Sequence, residues 1–486
     1  MKILKRTIYL SLLLGAVSFL SCEKSDKTAP NVTLSSSEVV FTVTGGTAEL
    51  TINSNADWSI KSYDKIDWLQ ISQTTGNAGN TTLKITVAEN KGFADRNSTL
   101  LIATANGAPI QVSVTQFSRS RLYPSYNLTP KPADATGMGS TAVQLASKIN
   151  MGWNIGNTLE AIGGETAWGN PKVTNDLIKA VKQAGFNAIR IPCSWNQYSD
   201  KATAKIQDAW LNRVKEVVQY CVNNDVYVIL NIHWDGGWLE NNCTADKKDS
   251  VNDKQKAFWE QIATTFRDFD QHVLFASANE PAVNNADQMD VLLSYHQTFV
   301  NAVRSTGGRN RYRVLVIQGP STDITKTNSL MSSLPADRTT NRMMAEVHYY
   351  NPYQFCLMDA DQSWGNMWYY WGQNYHSTTD ATRNATSGEE SDLNKLFVLM
   401  KKQFTDKGIP VIVGEFDAMR RSNLTGSDLQ LHLDSRAYFL KYVVKQAKTN
   451  GLLPFLWDTG NGVINRMNNT VFDQKELDSL RSGAGL

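Results

Sequence analysis

The sequence predicts two folded modules in series, an all-β sandwich of immunoglobulin type followed by a C-terminal (β/α)8 TIM barrel. Three observations carry that prediction. Between about Val32 and Phe117, short runs alternate apolar with polar residues and are punctuated by turn formers. From about Gly139 to Leu486, eight apolar strand-like runs alternate with amphipathic helical stretches. The 486 residues suffice for one small domain and a barrel, which takes roughly 250 residues and more with insertions.

Residues 1–21 precede both modules. Lys2, Lys5 and Arg6 form a basic head, Thr7 to Leu20 is an apolar run too short to span a bilayer, and Ser21 leads into Cys22. A cysteine directly after such a run resembles a bacterial lipobox. The resemblance implies a signal peptide, lipidation of Cys22, and an exported protein anchored to the outer membrane and facing the cell surface, with periplasmic or secreted locations as alternatives. The polar stretch Glu23 to Asp26 suits a spacer. The other cysteines (Cys193, Cys221, Cys243 and Cys356) match no Cys-x-x-Cys spacing, so no structural metal is expected, and Cys193 and Cys221 sit in apolar stretches as small core residues.

Residues 30–118 form the first module. Leu50 and Ile52, then Leu83, Ile85 and Val87, then Ile110, Val112 and Val114 alternate with polar neighbours, and Gly45-Gly46, Asn77, Gly79 and Asn106-Gly107 mark the turns. Trp58 and Trp68 are expected in its core. The segments ADWSI, DWLQIS, VAENKGFADR and VSVTQFS resemble the BACON family, immunoglobulin-like domains that precede glycan-degrading enzymes. Because a small core needs both tryptophans, a spacer role is preferred over glycan binding. Residues 119–138, with Pro124, Pro130 and Pro132, read as a semi-stiff linker.

Residues 139–486 are the barrel. Its strand-like runs are Met151–Asn157, Ala188–Cys193, Val226–His233, Val273–Glu280, Val314–Gly319, Met343–Tyr350, Pro410–Phe416 and Leu452–Asp458. Helical periodicity covers Asp176–Ala184, Ile206–Asn224, Lys254–Arg267, Met289–Arg304, Leu393–Thr405 and Ser435–Thr449. An open doubly wound sheet is the alternative, but the stretch after the first run lacks both a G-x-G-x-x-G spacing and a phosphate-binding lysine. No cofactor is expected. A net charge of +2, from 48 Lys+Arg and 46 Asp+Glu, is too small a field to recruit nucleic acid.

Barrel chemistry collects at the C-terminal strand ends. Those ends hold Arg190, His233, Asn279-Glu280, His348 and Tyr350, Glu415, and Trp457. Two carboxylates in an uncharged, aromatic-walled pocket are what glycosidic cleavage needs, one protonated as acid and one ionised. Glu280 and Glu415 are 135 residues apart in sequence (415 − 280), so only the closed barrel would bring them together.

The segments GWNIGNTLEA, NAIRIPCSW, ILNIHWDGGWL, FASANEP, VHYYNPYQF, VIVGEFDAM and PFLWDTG resemble the successive signatures of glycoside hydrolase family 5, closest to its subfamily 4 of endoglucanases and xyloglucanases. The resemblance implies a retaining endo-β-1,4-glucanase in which Glu280 is the acid/base and Glu415 the nucleophile. It implies Arg190, His233, Asn279, His348 and Tyr350 as supporting residues and Trp457, Asn157 and Trp238 as substrate-binding residues. The negative charge of Glu415 is expected to raise the pKa of Glu280, while Arg190 and Tyr350 hold Glu415 ionised.

Residues 351–391 form a long loop carrying Trp364, Trp368, Tyr369, Tyr370, Trp371 and Tyr375. About half of these rings are expected to pack the loop down. The rest, with Trp168, Trp195 and Trp238, are expected to line a groove, so the surplus of thirteen Trp reads as a sugar-binding surface rather than extra core. The expected substrates are xyloglucan, mixed-linkage glucan and cellulose derivatives, in that order, for a monomer that meets the membrane only through its lipid. Mannanase or xylanase specificity is the alternative within the family; a non-catalytic glycan-binding barrel is the alternative outside enzymes.

Overall fold

The computed structural model describes residues 29–62, 66–92, 95–118, 122–460 and 462–486; the leader and Cys22 lie outside them. The chain divides into two compact units between residues 121 and 122.

In the first unit, Val32–Leu34, Gly46–Ser54, Gly79–Val87 and Leu69–Ile71 form one sheet; Glu38–Phe41, Ile110–Gln116, Arg96–Thr104, Trp58–Ser62 and Thr75–Gly76 form the other. The period-2 alternation decides what faces inward. Leu50, Ile52, Leu83 and Ile85 from one sheet and Ile102, Val112 and Val114 from the other are fully buried. Trp58 joins this core, but Trp68 is only half-buried and lies under the Arg96 guanidinium, 4.9 Å from the ring centroid. It packs at the rim rather than the centre.

The second unit is a closed barrel of eight parallel strands, β1 (Gly152–Ile155), β2 (Ala188–Ile191), β3 (Tyr227–Asn231), β4 (Val273–Ala276), β5 (Leu315–Gln318), β6 (Met343–Tyr349), β7 (Val411–Phe416) and β8 (Leu452–Asp458), with β8 pairing back onto β1. Each strand is followed by a helix: α1 (Asn175–Gln183), α2 (Asp208–Asn223), α3 (Lys248–Phe266), α4 (Ala286–Ser305), α5 (Ile324–Leu330), α6 (Glu390–Gln403), α7 (Gly426–Thr449) and α8 (Gln474–Ala484). Helical periodicity does not reveal α5 and α8: α5 has 7 residues, under two full turns, and α8 is mostly polar around Leu477 and Leu480. Caps define them instead. Asp323 and Asp473, like Thr174 and Asn285 on α1 and α4, accept a first-turn backbone N–H, worth about 1 kcal/mol each.

Residues 122–138 are not a free linker but lie against this unit. The Leu122 N–H donates to Asp253 at 2.8 Å, the Tyr126 N–H donates to Glu260 at 2.6 Å, and Lys131–Ala133 pairs with Gly307–Gly308. The prolines set an extended path, and several of its backbone donors are taken up by barrel acceptors.

Inside the barrel the side chains are layered. Ala188, Ile229, Val316, Met344, Ile412 and Phe455 form an apolar plug. Two residues further along their strands come Arg190, Asn231, Gln318, Glu346, Gly414 and Trp457, so the same inward phase turns polar toward the C-terminal mouth.

Candidate active site

The barrel mouth brings Arg190, His233, Asn279, Glu280, His348, Tyr350, Glu415 and Trp457 to the ends of six strands. Glu280, His348 and Glu415 each present an atom within 4.8 Å of the other two, the one such triple of metal-type donors among the described residues. Both ring nitrogens of His348 face carboxylates, Nδ1 toward Glu280 Oε1 at 2.6 Å and Nε2 toward Glu346 Oε1 at 3.2 Å. That pattern suits an imidazolium, which has no lone pair to offer a metal.

Simple alternation would turn Glu415 outward, because Ile412 points in. A bulge corrects this: Val347 pairs with Val413, but the next residue, His348, pairs with Glu415. The inserted residue is Gly414, and a Cβ there would sit 2.1 Å from Glu346 Oε1. Glycine is therefore required by the close approach of β6, and the bulge swings Glu415 into the mouth.

Arg190 is fully buried and anchors the site. Its Nη1 donates to Glu415 Oε1 at 2.8 Å and Asn154 Oδ1 at 3.1 Å; Nη2 donates to Asn279 Oδ1 at 2.7 Å; Nε pairs with Glu346 at 2.9 Å. Tyr350 donates its hydroxyl to the other Glu415 oxygen at 3.0 Å. Oδ1 of Asn279 is taken by Arg190 and its amide group also hydrogen-bonds the Glu240 carboxylate, which leaves one amide hydrogen to meet a ligand. His233 and Trp457 lie in parallel, with centroids 5.8 Å apart.

The charges do not follow the sequence expectation. Burial opposes a charge on His348, but Glu415, Glu280 and Glu346 outweigh it and push its pKa up to about 10. With His348 cationic, the Glu280 carboxyl is held below its usual range despite burial, chiefly by the hydrogen bond and charge of His348. Glu415 is pushed up by burial, only partly offset by His348 and Arg190. The expected raise on Glu280 is therefore absent from the open cleft, where its side chain is 42% exposed. A sugar covering Glu280 would strip its water and push the pKa upward. His233 is driven well below its ordinary value by burial, then by Arg190 and His348, and is neutral.

Two expected substrate contacts stand apart from this cluster. Asn157 follows β1 in a left-handed conformation (φ 59°), its backbone held by Glu160 and Asn170. Trp238 is half-buried against α3, edge-on to Phe258 and under Lys254 Nζ, and donates to Asp235. Trp195 is core, not groove: it is fully buried and donates to the Asn231 carbonyl. In the long loop Trp368, Tyr369, Tyr370 and Trp371 are buried, with Trp371 wedged against Tyr438, Phe439 and Tyr442 of α7. Seven of the thirteen tryptophans (58, 153, 195, 210, 259, 368 and 371) are buried, which corrects the reading of the surplus as mainly sugar-binding surface. Trp168, Trp234 and Trp364 remain exposed.

Four supporting residues escaped the sequence reading: Asn154, Gln318, Glu346 and Glu240. The first three had a signal, a polar residue at the inward phase of an apolar strand; Glu346 stands two residues before His348. Glu240 had none, since it lies in the loop after β3. Its carboxylate accepts the Glu280 N–H at 2.6 Å, and burial, with Glu280 and Glu415, pushes its pKa up to about 7 against that hydrogen bond.

The profile of Cellulase (glycosyl hydrolase family 5) matches residues 154–463, and that of the BACON N-terminal binding domain matches residues 56–117. The xyloglucan-specific endo-beta-1,4-glucanase BoGH5A of Bacteroides ovatus is 35% identical over 480 residues, covering 94% of this chain and 92% of that protein. A solved Bacteroides ovatus GH5 xyloglucanase in complex with a XXXG heptasaccharide aligns with a TM-score of 0.70 at 32% identity, over 94% of this chain and all (100%) of the other. A GH5-4 broad specificity endoglucanase from Ruminococcus champanellensis, with bound cellotriose, aligns with a TM-score of 0.60 at 33% identity, over 70% of this chain and 98% of the other.

Proposed function

The chain belongs to glycosyl hydrolase family 5 and is an endo-β-1,4-glucanase; we propose that it works by double displacement, on xyloglucan ahead of mixed-linkage glucan and cellulose derivatives. The observation that carries the mechanism is the approach of Glu280 and Glu415, whose nearest oxygens lie within 4.8 Å. Retaining enzymes hold their carboxyl groups about 5–5.5 Å apart, whereas inverting ones leave about 6.5–9.5 Å for a water.

Glu415, oriented by Arg190 and Tyr350, attacks the anomeric carbon. Glu280 protonates the departing oxygen, and the glycosyl ester forms. Glu280 then takes a proton from water as that water breaks the ester. Asn279 faces the sugar 2-hydroxyl, and Trp457 underlies the ring at the scissile bond. The full-length xyloglucan-specific relative and the exposed rings of Trp168, Trp234 and Trp364 support xyloglucan as first substrate.

Reducing-sugar release from xyloglucan, mixed-linkage glucan, carboxymethylcellulose, mannan and xylan tests the reading. Fastest release from xyloglucan is expected. Release from mannan or xylan alone would replace the substrate assignment, and binding without turnover on the whole panel would replace the enzyme by a glycan-binding protein. From residues 1–22 we also propose export and lipid anchoring through Cys22. A clickable fatty acid fed to expressing cells should label the wild type and not Cys22→Ser; an unlabelled wild type refutes the anchor.

A further inference from the structure

Glu346 lies on β6 at the floor of the cleft and is fully buried, out of reach of any sugar. Its Oε1 is shared between two cations, 2.9 Å from Arg190 Nε and 3.2 Å from His348 Nε2, while Gln318 Nε2 donates to Oε2 at 2.6 Å. Gly414 leaves it the necessary room. The charged and titratable groups around this pair come from five strands: Arg190 behind it on β2, His233 after β3, Glu280 after β4, His348 on β6 and Glu415 on β7.

An ionised carboxylate can only accept, so its contact with Nε2 requires a hydrogen there. Nδ1 is then the ring atom that faces Glu280 Oε1, at 2.6 Å. We propose that Glu346 is a positioning residue that fixes the Nε2–H form of His348 and backs Arg190 behind Glu415, so that the His348–Glu280 pair holds the proton delivered to the leaving oxygen. As the glycosidic C–O bond breaks, its electron pair stays on the departing oxygen and takes that proton. The water that later opens the ester returns one to Glu280. Without the charge of Glu346, Arg190 would weigh more heavily against the imidazolium, and His348 would lose its second proton at a lower pH. The inference rests on Glu280 being the acid/base.

Nitrogen-15 NMR of histidine-labelled full-length protein tests this, with His348 identified by the signals missing from His348→Asn. Wild type should show Nε2–H throughout pH 5–9 and an imidazolium at pH 7. In Glu346→Gln the ring should lose its second proton about 1–3 pH units lower than in wild type, the range that one charged neighbour commands, and the alkaline limb of kcat/KM should move down with it. Its kcat should fall about tenfold or more with a smaller change in KM, and Glu346→Asp should restore both limb and ring charge. An unshifted imidazolium titration or an unmoved limb in Glu346→Gln overturns the proposal. If that variant does not fold, the wild-type spectrum decides: His348 protonated at Nδ1 but not Nε2 also overturns it. Glu280→Gln is assayed in parallel. Full activity there removes the acid/base assignment, whereas an inactive Glu280→Gln beside an unaffected Glu346→Gln removes only the role of Glu346.

Discussion

His233 and Trp457 stand face to face across the barrel mouth, their ring planes 7° apart and their centroids 5.8 Å apart. They follow β3 and lie on β8, strands that are not neighbours in the barrel. The neutral imidazole thus lies parallel to the indole within the range of aromatic pairing. Trp457→Ala should lower kcat/KM on xyloglucan about 100-fold, as expected when a positioning surface is lost, and Trp457→Phe should lose less. Steady-state kinetics check this; an unchanged kcat/KM would remove Trp457 as the floor beneath the sugar.

The roles of the two carboxylates separate by leaving group. Glu280→Gln should lose about 10²–10⁴-fold on xyloglucan, the usual worth of general acid catalysis, but far less in the first step on a dinitrophenyl glycoside, whose leaving group needs no proton. A 2-fluoro glycoside should leave its sugar on Glu415, located by peptide mass spectrometry. A label on Glu280 instead would reverse the assignment, and an inverted first product by proton NMR would exclude retention.

Gly414→Ala should be severely damaging although the change is one methyl group. The added Cβ would meet Glu346 Oε1 at 2.1 Å and must displace either β7 or the carboxylate that holds Arg190 and His348. About 1–3 kcal/mol of stability is the usual cost of such overpacking. Urea unfolding measures it, and a loss under 0.5 kcal/mol, with activity intact, would show that the bulge relaxes freely.

The charge of His348 makes part of the stability depend on pH. Its folded pKa is raised, to about 10, above an unfolded value near 6.5. The contribution is therefore fully present below about pH 6.5 and is lost as pH rises through about 10. The Tm gap between wild type and His348→Asn should be widest near pH 6 and close progressively by pH 10. A gap constant with pH would mean that His348 is neutral in the folded protein.

The polar strand ends were legible because a barrel places function at one end of every strand, and strand phase is a local property. Arg190 between Ile189 and Ile191, and His348 two residues before Tyr350, declare their faces by period alone. Glu415 is different. Its phase is wrong until the β6–β7 bulge resets it, and a bulge depends on the neighbouring strand. The aromatic loop shows the same limit: Trp368 and Trp371 are indistinguishable in sequence from exposed Trp364, and it takes the distant helix α7 to cover Trp371.

Sequence alone determined the order of eight strands, the identity of the paired glutamates, the near-neutral net charge and the small sandwich that precedes the barrel in the chain. These depend on residues close together in the chain. Tertiary structure decided the proton inventory: which histidine is charged, which glutamate is pulled down, and that Glu346 and Glu240 belong to the site at all. Arg190 reaches Glu415 across 225 positions of sequence, and His348 reaches Glu280 across 68. A pKa is set by whichever charges lie within a few ångströms, so it becomes defined only when the barrel closes.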